Sequence, residues 1–111
     1  MTEQIRLTKI PHSKLKVFEK VIAFYLTSFH KQELTDQDKS HISIATCFYH
    51  SRIKNKVNSQ YPSKKSTIKF FYHEAYVMIK VFLKYQNFTS IQDLDYAIVE
   101  NFKIDLYKQL I

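Results

Sequence analysis

The chain has 111 residues, contains no glycine and carries a formal net charge of +7 at pH 7. The absence of glycine excludes a nucleotide-cradling loop of the Walker or Rossmann type and disfavours the tight primed turns of β-hairpins. Hydrophobic residues make up 45% of the chain and aromatic residues 15%, which is too much apolar character for a disordered basic tail and suits one folded domain.

The composition also bears on location. A single cysteine, Cys47, excludes an intramolecular disulfide and is typical of a reducing compartment. Residues 1–14 lack the apolar core of a secretory signal, and the most apolar stretch, residues 68–88, is interrupted by charges. We therefore expect a cytoplasmic protein that makes no use of a membrane.

Residues 1–12 form an arm or short element whose conformation the sequence leaves open. Ile5, Leu7 and Ile10 are compatible with a strand, a short helix or an arm packed on the rest of the molecule. The first helix is predicted to begin at Ser13, an N-cap candidate just after Pro11, and to run to about residue 31.

Three further helices are predicted from apolar residues at helical spacing. The second runs from Thr35 to about Lys56, the third from Ser63 or Ser66 to about residue 86, and the fourth follows Ser90. The third is apolar almost all round, which is typical of a central helix. The buried line predicted for the fourth helix comprises Ile91, Leu94, Ile98, Phe102 and Leu106. The fold class expected is all-α, a compact four-helix bundle-like single domain over residues 13–111 with an uncertain N-terminal arm.

Positive charge is concentrated in residues 51–69, which contain no acidic residue. If the second and third helices are antiparallel, this charge gathers at one end of the bundle. Backbone N–H groups and hydroxyls at the start of the third helix would suit a phosphate, and Tyr61 would stack on an unpaired base. The predicted nucleic-acid-binding residues are Arg52, Lys54, Lys56, Tyr61, Ser63, Lys64, Lys65 and Lys69.

The leading functional hypothesis is a small non-enzymatic basic protein that engages nucleic acid or a ribonucleoprotein through this end. RNA is the favoured nucleic acid, and Tyr61 offers a stacking contact to an unpaired base. Lysines far outnumber arginines, which favours phosphate attraction over bidentate base reading.

A second hypothesis is a protein-directed inhibitor or adaptor. One example would be a phage or mobile-element product that blocks a host defence nuclease, as anti-CRISPR proteins do. Exposure of an apolar patch at Ile104, Tyr107 and Ile111 would favour such a protein interface. Homodimerisation through tyrosine-rich faces is a further alternative.

A third hypothesis is enzymatic. Arg6 and His12 show the arginine–five residues–histidine spacing of small HEPN-type ribonucleases, and this segment resembles that motif. The resemblance implies a ribonuclease acting through these two residues, although Leu7 replaces the usual polar residue and Pro11 interrupts the spacer. Metal binding is also disfavoured. Cys47 and His50 form one close pair of ligands, whereas zinc sites usually show at least two such pairs.

The expectation is therefore a protein with no enzyme activity, catalytic residue, metal or cofactor.

Overall fold

A computed structural model of the chain describes residues 5–28, 34–58, 65–90 and 93–111. None of the helices within these ranges is long and apolar enough to cross a membrane. The elements in chain order are β1 (Ile5–Ile10), α1 (His12–Thr27), α2 (Asp36–Phe48), a π-helical turn (Tyr49–Ile53), α3 (Lys54–Val57), β2 (Ser66–Phe70), α4 (Tyr72–Phe88) and α5 (Leu94–Leu110).

The two strands form an antiparallel sheet, and this corrects the expected all-α bundle to a mostly helical fold with a small sheet. Ile5 lies opposite Phe70, and Leu7 lies opposite Ile68. These four side chains are buried, whereas Lys69 between them is exposed. This period of two is the pattern of a half-buried strand.

The third predicted helix therefore begins later than expected, at Tyr72 rather than at Ser63 or Ser66. The helical spacing of its apolar residues predicts a helix over Ser66–Phe70, but this segment pairs with β1 as a strand. Such pairing between distant segments overrides a local helical preference. The N-terminal element, left open by the sequence, is the partner strand.

The first two predicted helices are present, but α1 ends at Thr27 rather than near residue 31, and the second is divided into α2, the π-helical turn and α3. Ser13 does not cap α1; the extended Pro11 precedes it, and the Pro11 carbonyl accepts from the Lys14 and Leu15 amides. Thr35 does cap α2, as predicted. Its hydroxyl accepts from the Asp38 amide at 3.1 Å, and the Asp38 carboxylate accepts from the Thr35 amide at 3.1 Å.

The fourth predicted helix, α5, buries a different line of residues from the one expected. Phe102 and Leu106 are buried as predicted, together with Val99. Leu94, in contrast, is 84% exposed because it is the first residue of the helix, and Ile98 is only partly buried. Ile91 lies outside the described residues.

Phe18 of α1 lies at the centre of the core and is completely buried. Its ring centroid is 6.1 Å from Phe48, 6.4 Å from Phe70, 5.3 Å from Phe82 and 5.5 Å from Phe102. These partners belong to α2, β2, α4 and α5 respectively. One side chain therefore contacts an aromatic ring from each of four other elements of the core.

Replacing Phe18 with alanine should lower the free energy of unfolding by about 3–5 kcal/mol, because it removes a buried ring and leaves a cavity. Urea denaturation followed by circular dichroism measures this change. Phe88→Ala is the control, because Phe88 is 70% exposed and its truncation should cost less than about 1 kcal/mol. Equal losses in the two variants would contradict the central position of Phe18.

Candidate functional site

The basic residues predicted to share the end of one helix hairpin lie on several different elements. Arg52 is in the π-helical turn, Lys54 and Lys56 are in α3, Lys69 is in β2, and Lys65 immediately precedes β2. The other predicted contacts, Tyr61, Ser63 and Lys64, lie outside the described residues.

The prediction of a phosphate-binding helix N-terminus near Ser63–Thr67 is wrong, because β2 lies at this position. Ser66 and Thr67 belong to β2, and the Ile10–Ser66 pair of the ladder includes this segment. The backbone of Ser66 and Thr67 is therefore part of a sheet and does not present the converging N–H groups of a helix start.

Arg52 has a structural environment. Its guanidinium donates to the Glu74 carboxylate and lies 5.6 Å from the ring centre of Phe48 and 5.0 Å from that of Phe71. Glu74 is buried and also accepts from the Phe71 amide at 2.8 Å. The ion pair therefore joins the π-helical turn to the start of α4 and satisfies a buried carboxylate.

The lysines of α3 lie near one end of the sheet. The His12 ring donates from Nε2 to the Val57 carbonyl at 2.8 Å, which holds the end of α3 against the start of α1. Ile10, two residues before His12, pairs with Ser66. The end of α3 and the start of β2 are therefore both near residues 10–12, and Lys54 and Lys65 are exposed.

The outer face of the sheet is basic. Arg6 and Lys69 lie directly opposite each other across the two strands, and both are exposed, as is Thr8. Opposed side chains on one face of an antiparallel pair have Cβ atoms about 5 Å apart, so their like charges repel. We call Arg6, Thr8, Lys9 and Lys69 the basic sheet face.

Lys9 lies at a register shift in β1, between the Leu7–Ile68 and Ile10–Ser66 pairs. Its φ of 55° is in the left-handed region, which glycine favours and other residues enter at a cost of about 1–2 kcal/mol. The bulge exposes Lys9 together with Thr8. A chain without glycine thus has a position that favours one.

Sequence reasoning did not include Arg6 and Lys9 in the basic surface. Their partners across the sheet lie more than half the chain away, so charge density along the sequence does not bring them together. The available signal was the alternation of Ile5, Arg6, Leu7 and Thr8, which is typical of a half-buried strand.

The two residues of the HEPN resemblance have different contacts. The Arg6 backbone, in β1, bonds with the Gln109 side chain, whereas the His12 ring, at the start of α1, donates to the Val57 carbonyl. His73 is exposed and stacks on Phe71 with centroids 6.0 Å apart. Among the described residues, no group of three or more His, Cys, Asp and Glu side chains is arranged to hold a metal ion.

A second surface is apolar and lies between α4 and α5. Ile104, Tyr107 and Ile111 are 41%, 57% and 91% exposed. The three apolar residues whose exposure would favour a protein interface are therefore at the surface. A groove of about 400 Å³ runs beside it and is continuous with a second depression of about 390 Å³. The residues lining this α4–α5 groove are Tyr72, Tyr76, Ile79, Lys80, Leu83, Lys103, Ile104, Tyr107, Lys108, Leu110 and Ile111.

Polar contacts fix the two helices at one end of this groove. Gln86 of α4 donates to Glu100 at 2.6 Å, and Lys103 donates to Gln86 at 2.8 Å and contacts Glu100 at 3.0 Å. The hydrogen bond from Gln86, followed by that from Lys103, lowers the pKa of Glu100. These three side chains hold the groove in its observed width.

The basic sheet face and the α4–α5 groove lie on opposite sides of α5. The Gln109 side chain accepts from the Arg6 amide at 2.9 Å and donates to the Arg6 carbonyl at 2.8 Å, so this side of α5 covers the edge of β1. Tyr107, which lines the groove, points roughly 160° away from Gln109 around the helix. The two surfaces are therefore separate.

Comparison of the chain with models of known families, with curated proteins and with solved structures gives no match.

Exchanging Arg6 for glutamate should stabilise the protein, because it replaces a like-charge pair with an attractive cross-strand pair to Lys69. The expected gain in unfolding free energy is about 0.5 kcal/mol at low salt, measured by urea denaturation. Arg6→Glu combined with Lys69→Glu restores repulsion and should remove the gain. If the single variant loses stability, the two side chains do not repel each other in the fold.

The lowered pKa of Glu100 predicts how stability depends on acid. A carboxyl whose folded pKa lies below its ordinary value of 4.5 stabilises the fold above that value, and this stabilisation is lost as the pH falls through the folded pKa. Wild-type protein should melt at a higher temperature than Glu100→Gln at pH 7, and the difference should shrink as the pH falls below 4.5 and through the folded pKa. A constant difference across this range, or an NMR titration of Glu100 at or above its ordinary value, would contradict this assignment.

Proposed function

We propose that this chain is a small non-enzymatic protein-binding module that uses the α4–α5 groove. The observation that carries this proposal is the exposure of Ile104, Tyr107 and Ile111 beside Tyr72 and Tyr76. Contiguous apolar surface rimmed by polar residues marks interaction sites on soluble proteins. Tyrosine is also enriched in protein interfaces, because its ring supplies contact area and its hydroxyl remains hydrated.

The shape of the groove favours a helical occupant. α4 and α5 run antiparallel, since Gln86 contacts Glu100 while Ile79 and Leu83 share the groove with Tyr107. Two adjacent helices leave a furrow parallel to their axes, and an amphipathic helix places its apolar side chains into such a furrow. The partner we propose is therefore an amphipathic helix of another protein.

The charge around the groove favours acidic residues on that helix. Lys80 and Lys108 are exposed at the rim, and neither forms an ion pair with another described residue. In a symmetric homodimer through this groove, each of these lysines would face the same positive rim. An acidic partner relieves this repulsion, and complementary charge also accelerates association.

Such a module acts by occupying a partner's helix, as an adaptor or an inhibitor, and it needs no catalytic group for that purpose. An inhibitor of a host nuclease is one form of this proposal. The groove chemistry defines the helix that is bound rather than the protein that carries it.

Two labelled helical peptides test the proposal. Both have the same apolar face and about 18 residues; one carries glutamates beside that face and the other lysines. Fluorescence anisotropy should show at least about tenfold tighter binding of the glutamate peptide, and Lys108→Gln should reduce this preference.

The matched pair of variants is Ile104→Asn and Leu94→Asn. Both change an exposed apolar residue of α5 without changing charge, but only Ile104 lines the groove. Ile104→Asn should weaken binding of the glutamate peptide about tenfold, and Leu94→Asn should leave it unchanged. Equal effects of the two variants, or no binding of either peptide, would overturn the proposal. Self-association in sedimentation velocity that Ile104→Asn abolishes would instead identify a homodimer.

A further inference from the structure

The two opposed cations on the outer face of the sheet form no ion pair with another described residue. Arg6 and Lys69 are cross-strand neighbours on the exposed face. The ion pairs of the described residues join Lys20 to Asp95, Arg52 to Glu74 and Lys103 to Glu100, and they include neither of these two cations. An anion bound from solution would remove the repulsion between them.

The backbone at Lys9 adds a second, independent observation. A φ of 55° favours glycine at this position, yet a lysine occupies it. The register shift here leaves Lys9 and Thr8 exposed at one end of the face. Bulges change the direction of a side chain and are over-represented at sheet edges and next to active sites. A lysine at a position that favours glycine agrees with a role for its ammonium group in binding an anion.

The composition of the face identifies the kind of anion. The side chains of the basic sheet face are cations and a hydroxyl, with the apolar residues of both strands buried beneath them. Peripheral membrane contacts insert apolar side chains, and protein interfaces contain an apolar centre. Within the two strands the fully exposed side chains are lysine, arginine and threonine, and these match the groups that bind nucleic-acid phosphates.

We propose that the basic sheet face binds the phosphodiester backbone of a nucleic acid. Arg6, Lys9 and Lys69 contact phosphates, Lys65 extends the track where β2 begins, and the Thr8 hydroxyl donates to a phosphate oxygen. Two of these residues, Lys65 and Lys69, belong to the basic end predicted from sequence. The site excludes Arg52 and is independent of the α4–α5 groove.

The salt dependence of binding measures how many phosphates the protein neutralises. Purified protein is titrated into labelled duplex DNA, duplex RNA and single-stranded RNA between about 50 and 300 mM NaCl, and binding is followed by fluorescence anisotropy. Four neutralised phosphates predict a slope of log K against log salt of about −3.6 for duplex DNA and about −2.8 for a single strand. The affinities and slopes together identify which nucleic acid the face prefers.

Matched substitutions locate the site. Arg6→Gln and Lys69→Gln should each make the duplex-DNA slope shallower by about 0.9. Lys39→Gln, which removes one exposed charge from α2, is the control and should leave the slope unchanged. Lys9→Gly relieves the backbone conformation while removing one cation, so this variant should remain folded and still lose about 0.9 from the slope.

The result that overturns the proposal is no binding at 50 mM salt, or an equal effect of Lys39→Gln and Arg6→Gln, which would indicate diffuse attraction. Ile104→Asn should bind nucleic acid like the wild type, and Arg6→Gln should bind the glutamate peptide like the wild type. Failure of one proposal is therefore distinguishable from failure of the other.

Discussion

The fold depends on the contacts of Phe18. Phe48, Phe70, Phe82 and Phe102 each place a ring against it, so one side chain of α1 contacts α2, β2, α4 and α5. Aromatic rings bury large areas and add an orientation preference of about 0.5–1.5 kcal/mol per pair. Phe70 attaches the sheet to this cluster, because its ring also stacks on that of Phe48 with centroids 4.9 Å apart. The basic sheet face is thereby held on the same core as the α4–α5 groove.

Local patterns predicted the helices well and the sheet poorly. Apolar spacing located α1, and the Thr35 cap located the start of α2. Ser66–Phe70 was assigned to a helix because its stabilising partner, Ile5–Ile10, lies far away in the sequence. The energetic benefit of a strand comes mainly from its neighbours, whereas a helix satisfies its backbone locally. A single sequence therefore contains much less information about β2 than about α2.

The candidate sites show the same division. Exposure at Ile104, Tyr107 and Ile111 followed from their distance from the buried line of α5, which is a local property. The opposition of Arg6 and Lys69 depends on register between distant strands, and the φ of Lys9 depends on a shift in that register. Neither could be read from charge density along the chain. The density of lysines indicated an anion-binding surface but not which residues share a face.

Whether a cation has a partner within the fold says more about its role than the number of cations in its segment. Arg52 lies in the most basic segment, but Glu74 and two phenylalanine rings account for its position. Lys20 and Lys103 likewise have carboxylate partners at 2.6 Å and 3.0 Å. Arg6 and Lys69 instead oppose each other, and within the described residues no carboxylate pairs with either. An exposed like-charge pair costs only about 0.2–1 kcal/mol, so the fold tolerates it, and it is the lack of an internal partner that leaves these two cations available to an anion from solution.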